Sequence, residues 1–321
     1  MIKKVSNRIN HDDQTVDVLS DVLDTLRFRG SIFFRSKLAA PWGMSLSKLK
    51  NPRFHIALSG NCYIGVDDVD NQVINIQHMD IVMLPHGQMH WIADKPGRKL
   101  TPSKQAGDAC ELGMPLFQDG DITNKLICGL IDYEKDMLHP IIDSLPSALH
   151  FSGIKTNDPI WMTVLLIDAE MEKKQTSQTS IIDRLTEVLF MQLLNRHLSD
   201  NKEITGFFAA LHDKRIHRAL ELIHRSPQHP WTLELLVEQV NMSRATLIRQ
   251  FKHTVGVSPM TYLLNWRMTK AYHLLKQSNN TIEQIAEATG FSTARTLTKA
   301  FQRLYSITPS EFRRKNKLKT G

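Results

Sequence analysis

At 321 residues the chain is longer than a typical single domain, and two domains are expected. It is 41% hydrophobic and 23% charged, an ordinary globular balance, and its longest apolar run, Met162 to Ile167 with Thr163 inside it, is far too short to span a bilayer. The net charge of +7 is unevenly spread: residues 213–321 hold 18 Lys and Arg against 7 Asp and Glu, and the rest holds 22 against 26. The basic end is suited to a polyanion, unless it is only a solvated face.

Met1 to Asp24 is polar and has no apolar core segment, so no secretory signal is expected, and residues 1–16 read as a tail. Residues 26–150 read as β-rich. "SIFFRSKL", "RFHIALSG", "CYIGVDD", "QVINIQHMDIVML" and "NKLICGLIDYE" are short apolar or alternating runs, and Gly, Asn, Asp and Pro punctuate them. Such strands predict a sandwich or barrel. Lys95 to Thr123 is rich in Pro, Gly, Lys and Asp and reads as a long loop. The three cysteines, Cys62, Cys110 and Cys128, form no CxxC pair, which fits a reducing cytosol rather than a disulfide scaffold. Cys62 and Cys128 fall in expected strands that could share one interior. They are either inert buried thiols or oxidant sensors.

After Pro159 the period changes to about 3.6. "PIWMTVLLIDAEMEKK" and "SIIDRLTEVLFMQLLNRHL" predict amphipathic helices. The second is expected to bury Ile181, Ile182, Leu185, Val188, Leu189, Gln192 and Leu193. That stripe is either core packing or a helix-pair homodimer contact.

From Asp213 onward the pattern is helical: 213–225, 233–240, 243–254, 259–277, 282–289, 294–304 and 309–316. Ser258-Pro259 and Thr308-Pro309 each set a capping hydroxyl before a proline at the first helical position. Thr281 to Gln284 and Thr308 to Glu311 have capping-box spacing. An internal repeat runs through this region. "SRATLIRQFKHTVGVSPMTY" (243–262) aligns with "TARTLTKAFQRLYSITPSEF" (293–312), so that Thr246, Leu247, Phe251 and Pro259 recur as Thr296, Leu297, Phe301 and Pro309. Upstream, Val237 and Asn241 answer Ala286 and Gly290. Each copy is helix, tight turn, helix, with units at about 233–254 and 282–304. The second helix of each copy buries a leucine and a phenylalanine at i and i+4. Its outer side carries Arg244, Ala245, Ile248 and Arg249, or Ala294, Arg295, Thr298 and Lys299. Such a face suits a major groove. The helix between the copies is 19 residues, about 28 Å at about 1.5 Å per residue, near one DNA turn of about 34 Å.

These two segments resemble the halves of the AraC/XylS-type DNA-binding domain, over roughly 213–315. Departures are Val237 for the usual alanine, Ser306 for glycine and Leu297 for an aromatic. Upstream, "SIFFRSKLAAPWGMSL", "RFHIALSGNCYIGVD" and "GQMHW" after "MDIVMLP" resemble the cupin-like effector domains that precede this module. The resemblance implies an α+β multidomain protein: a cupin-like β-barrel at 17–150, a helical linker at 151–212 and an all-α DNA-binding domain at 213–321. It implies a bacterial, cytoplasmic transcription regulator without a cofactor or membrane anchor. Its partners would be double-stranded promoter DNA, a small-molecule or stress effector, and RNA polymerase where it activates. Base contacts carry over to Ala245, Ile248, Arg249, Ala294, Arg295, Thr298 and Lys299, with Arg244 beside them. Arg249 either forks onto a guanine or pairs with a neighbouring carboxylate.

Pro85-x-Gly87-x-x-His90 raises a second reading, a metal-dependent cupin enzyme. Such enzymes carry two histidines one apart and then a carboxylate in their first motif. Here Phe54-His55-Ile56-Ala57 offers one histidine and no carboxylate, and even with His86 the set is only His55, His86 and His90. Three or four ligands are needed. No catalytic or metal-binding residue is therefore assigned. His55, His90 and Trp42 are expected to line an effector pocket or hydrogen-bond within the barrel.

Overall fold

A computed structural model describes residues 16–66, 73–112, 114, 116–133, 139–173, 178–200 and 205–317. The expected tail lies almost wholly outside them. The chain forms two units. One comprises Arg27–Lys135 and Pro140–Phe208; the other comprises Met1–Leu26, Asp136–His139 and Ala209–Gly321.

The first unit is a sandwich of two five-stranded sheets. One sheet orders β1 (Arg29–Ala39), β9 (Ile122–Asp132), β3 (Arg53–Ser59), β6 (Ile81–Leu84) and β10 (Leu149–Phe151). The other orders β5 (Val73–Ile76), β4 (Cys62–Val66), β7 (His90–Ala93), β2 (Gly43–Leu46) and β8 (Thr101–Pro102). All pairings are antiparallel except β2 with β8. Period-2 alternation sends Ala57, Val82, Leu84 and Leu126 of the first sheet and Met44, Ile64, Val66 and Ile92 of the second into one shared core. Gly87 makes the turn into β7 at φ 58°, where a Cβ would meet Asn51 O at 2.4 Å and Leu49 O at 2.6 Å. Only glycine fits both the left-handed backbone and that approach.

Three departures from expectation stand out. The segment expected as a plain loop, 95–123, contains β8 and a helix, α2 (Ser103–Glu111). In α4 (Gln178–Asp200) the buried face is Ile182, Thr186, Leu189, Phe190, Leu193, Leu194 and His197, whereas Ile181 and Val188 are exposed. The true face keeps a 3.6 period and is rotated from the expected one. It is set by β1, on which α4 packs beside α3 (Pro159–Glu172). Arg35 on β1 fastens α3, donating to Asp168 at 2.7 Å and Glu172 at 2.8 Å. The residues expected as a linker, 151–212, mostly belong to the first unit, and the chain passes to the second within α5 (Gly206–His212).

The second unit is helical: α6 (Lys214–Arg225), α7 (Leu233–Val240), α8 (Arg244–Val255), α9 (Pro259–Gln277), α10 (Ile282–Ala288), α11 (Ala294–Tyr305) and α12 (Pro309–Lys317). It also takes in α1 (Val18–Leu26), from the other end of the chain. Asp21 of α1 accepts from His224 Nδ1 at 2.7 Å and from Lys270 Nζ at 2.9 Å, which draws the carboxyl below its usual range despite partial burial. His224 Nε2 in turn accepts from the Tyr262 hydroxyl at 2.8 Å.

The expected capping groups perform as such. Ser258 accepts from Thr261 N, and Thr281 and Gln284 close a reciprocal capping box. Thr308 and Glu311 bond each other's backbone N–H at 2.8 and 3.3 Å. Gly256 and Ser306 end α8 and α11 in the left-handed conformation, at φ 86° and 60°. Glycine adopts it freely, whereas serine incurs a steric cost of about 1–2 kcal/mol. Ser306→Gly should therefore stabilise the helical unit by about 0.5–1 kcal/mol after the entropy of the freer unfolded chain is subtracted. Urea unfolding followed by helical circular dichroism measures this, and an unchanged or lower midpoint contradicts it.

Candidate functional site

Each helix-turn-helix is built from local signals. Asn241, at φ 50°, and Gly290, at φ 79°, supply the left-handed residue after α7 and α10. Ser243 and Thr293 then cap α8 and α11, accepting from Thr246 N and Thr296 N. Leu247, Phe251, Leu297 and Phe301 are all 0% exposed. With those positions inward, helical geometry turns the other side out. Arg244, Ala245 and Arg249 are exposed on α8, and Arg295 and Lys299 on α11, while Ile248, Ala294 and Thr298 are half-buried beside them. Arg244 meets Glu234 at 3.3 Å, a pairing between two exposed side chains that water and salt weaken. Arg249, Arg295 and Lys299 make no ion pair among the described residues. Two basic helix faces thus flank α9, whose 19 residues match the expected bounds.

The sheet register builds a second constellation in the first unit. His55 on β3 lies directly opposite Cys128 on β9, so both project from one face. His90, at the start of β7, belongs to the facing sheet. The three meet between the sheets. His55 Nδ1 lies 3.0 Å from Cys128 Sγ, the two Nε2 atoms of His55 and His90 are 2.8 Å apart, and His90 Nδ1 is 2.8 Å from Gln88 O. A carbonyl only accepts, so His90 Nδ1 carries a proton and donates to Gln88. Neutral His90 then accepts at Nε2 from His55, whose free Nδ1 accepts from the Cys128 thiol. One arrangement of protons satisfies every link.

Burial drives His55 well below the ordinary histidine range and His90 down to about 4, and the nearby positive Arg53 adds to both shifts. Both imidazoles are neutral at neutral pH. Burial likewise pushes the Cys62 thiol up to about 12, and Cys128 upward too, which opposes thiolate formation and hence oxidant chemistry at either. The two cysteines do share one core, as expected, and both are free thiols. His86 is apart from the pair, bonded to Leu145 O at 3.0 Å. Among the described residues no group of three or more His, Cys, Asp or Glu is placed to hold a metal ion. The facing nitrogens of His55 and His90 satisfy each other through one hydrogen.

A cavity of about 270 Å³ opens beside this chain, with His55 and Cys128 in its wall. His90 sits behind His55 and does not line it. Trp42 is elsewhere, its indole N–H donating to Asn124 at 3.0 Å in the core. Arg53, a wall residue on the same face of β3 as His55, was missed in the sequence. Its signal was available: a charge two positions before His55 in an otherwise apolar strand.

Because His90 is held neutral in the fold and titrates at about 6.5 when unfolded, the unfolded state binds more protons below pH 6.5. Stability is complete above pH 6.5 and is lost as pH falls toward 4, at about 1.4 kcal/mol per pH unit from this residue. His90→Gln should flatten the slope of unfolding free energy across that window in urea titrations. An unaltered slope would show that His90 does not carry it.

Comparison with known proteins identifies both domains. A cupin family matches residues 17–199, and a helix-turn-helix domain family matches 236–315. An uncharacterized HTH-type transcriptional regulator of Haemophilus influenzae is 30% identical over 93% of this chain and 99% of its own length. The HTH-type transcriptional regulator AlkR of Acinetobacter baylyi is 28% identical over 94% of this chain and 100% of its own. MtrA of Neisseria gonorrhoeae, also an HTH-type transcriptional regulator, is 27% identical over 93% and 98%. Among solved structures, the DNA-binding domain of AdpA in complex with a target DNA aligns with 32% of this chain and 95% of that one, at 25% identity and a TM-score of 0.30. These relatives are named as transcriptional regulators. This chain belongs to the AraC-type transcriptional regulators, with a cupin domain followed by a helix-turn-helix DNA-binding domain.

Proposed function

We propose that α8 and α11 enter successive major-groove segments of promoter DNA, with Arg249 and Arg295 reading base edges and Ala245, Ile248, Ala294, Thr298 and Lys299 completing the contact. The observation that carries this is the burial of the Leu–Phe pair in each helix, which leaves two basic faces outward on either side of α9. The capped helix starts at Ser258 and Thr308 are suited to phosphates and would fix the register. The cupin domain binds a small-molecule or stress effector, and its occupancy alters DNA binding. Where the target site lies upstream of a promoter, RNA polymerase is the further partner. The place of action is the bacterial cytoplasm; no helix among the described residues is long and apolar enough to cross a membrane.

Exposed apolar side chains on α3 and α4 support a homodimer through the cupin domain. Met162, Leu165 and Leu166 are about half exposed at helical spacing, and Ile181, Val188 and Met191 follow on α4.

Arg249→Ala should relax discrimination at one base pair by about 1–3 kcal/mol, read from binding to a library of single-base operator variants. An unaltered profile would falsify the Arg249 assignment. A Leu165→Glu/Leu166→Glu chain should sediment as a monomer at concentrations where the parent is dimeric. If both sediment alike, the helix face is not the dimer contact.

A further inference from the structure

The cavity beside His55 has an apolar wall, formed by Phe34, Met44, Leu46, Ile92 and Leu130 among others. At about 270 Å³ it falls just below the usual span of ligand pockets, about 300–1,000 Å³, and suits a small ligand. Into this wall β3 places Arg53, which is 6% exposed. Its Nη1 donates to Ser47 O at 2.8 Å, while its Nε is buried without a partner. Among the described residues no carboxylate pairs with it, and no Asp or Glu lines the cavity.

The neighbours do not compensate the charge. His55 and His90 are neutral, the Cys128 thiol keeps its proton, and among the described residues the other charged side chain in the wall is Lys104, exposed on α2 and also positive. A buried guanidinium with an idle donor and no counter-charge is costly in a folded protein. The larger cavity beside α4 shows the contrast. Arg196 lines it too, but Arg196 is already paired with Asp158 and Asp200.

We propose that this pocket binds a small amphipathic monocarboxylate, with the acid group on Arg53 and an aliphatic or aromatic body against Phe34, Met44, Leu46 and Ile92. Planar forked donors match a carboxylate, and the apolar wall excludes a strongly hydrated dianion. The inference rests on the effector-binding reading of the cupin domain and specifies the chemistry of its ligand.

Calorimetric titration of the full-length chain tests it with two matched sets of probes: octanoate, 1-octanol and octylamine; benzoate, benzyl alcohol and benzylamine. In at least one set the acid should bind about ten- to a hundredfold tighter than the alcohol, with the amine weakest. Arg53→Met should bring the acid down to the level of the alcohol, and Arg53→Lys should restore part of the preference. Arg53→Met should also melt no lower than the parent in the absence of ligand, since it removes an uncompensated buried charge. Alcohols binding as tightly as acids, acid binding indifferent to Arg53→Met, or no binding of either acid would each overturn the proposal. DNA affinity is measured in parallel and separates the two readings. Arg53-dependent acid binding that leaves DNA affinity unchanged supports the anion pocket and sinks the effector role. A neutral compound that shifts DNA affinity while the acids leave the pocket empty does the reverse.

Discussion

Two leucine–phenylalanine pairs, Leu247 with Phe251 and Leu297 with Phe301, orient everything that faces outward in the helical domain. Each phenylalanine buried from water contributes about 1.5–3 kcal/mol, and truncating one would cost about 3–5 kcal/mol, so α8 and α11 have one stable rotation about their axes. Once that rotation is set, Arg249 and Lys299 cannot be anywhere but outside. The left-handed residues Asn241 and Gly290 fix where each helix begins. The basic outer face of the two helices is therefore a by-product of core packing.

The cupin domain works by the opposite rule. Its polar groups are inside, and they are tolerated because they satisfy one another. Cys128, His55, His90 and the Gln88 carbonyl form a chain in which each donor meets one acceptor, bridging the two sheets. Such a chain is neutral throughout and adds direction to a core that apolar contacts alone would leave unspecific. Arg53, two residues before His55 on the same face, breaks the pattern by bringing in a charge that the protein leaves uncompensated.

α1 shows that chain order and spatial grouping differ. Its Asp21 joins His224 and Lys270 in the helical domain, although more than a hundred residues of the cupin domain follow it in sequence. No local pattern around Asp21 announces this, because the partners are defined only when α6 and α9 pack together.

The sequence by itself determined the helical domain almost residue by residue. Caps, prolines and left-handed positions act within four residues of their targets, so the bounds of α7 and α9 and both capping boxes could be read directly. The repeat doubled the signal. In the strands, period 2 located the sheets but not which strands face each other. His55 and His90 were legible as candidates, and their meeting at 2.8 Å was not, since it depends on two sheets closing over one core. The buried face of α4 was misread for a similar reason: several apolar stripes run along it, and the strand beneath chooses among them. Trp42 proved a core residue and Arg53 a pocket residue because burial on a strand depends on what the facing sheet covers. Local hydrogen bonds decided where the helices of the second unit begin and end; only tertiary packing decided the pocket.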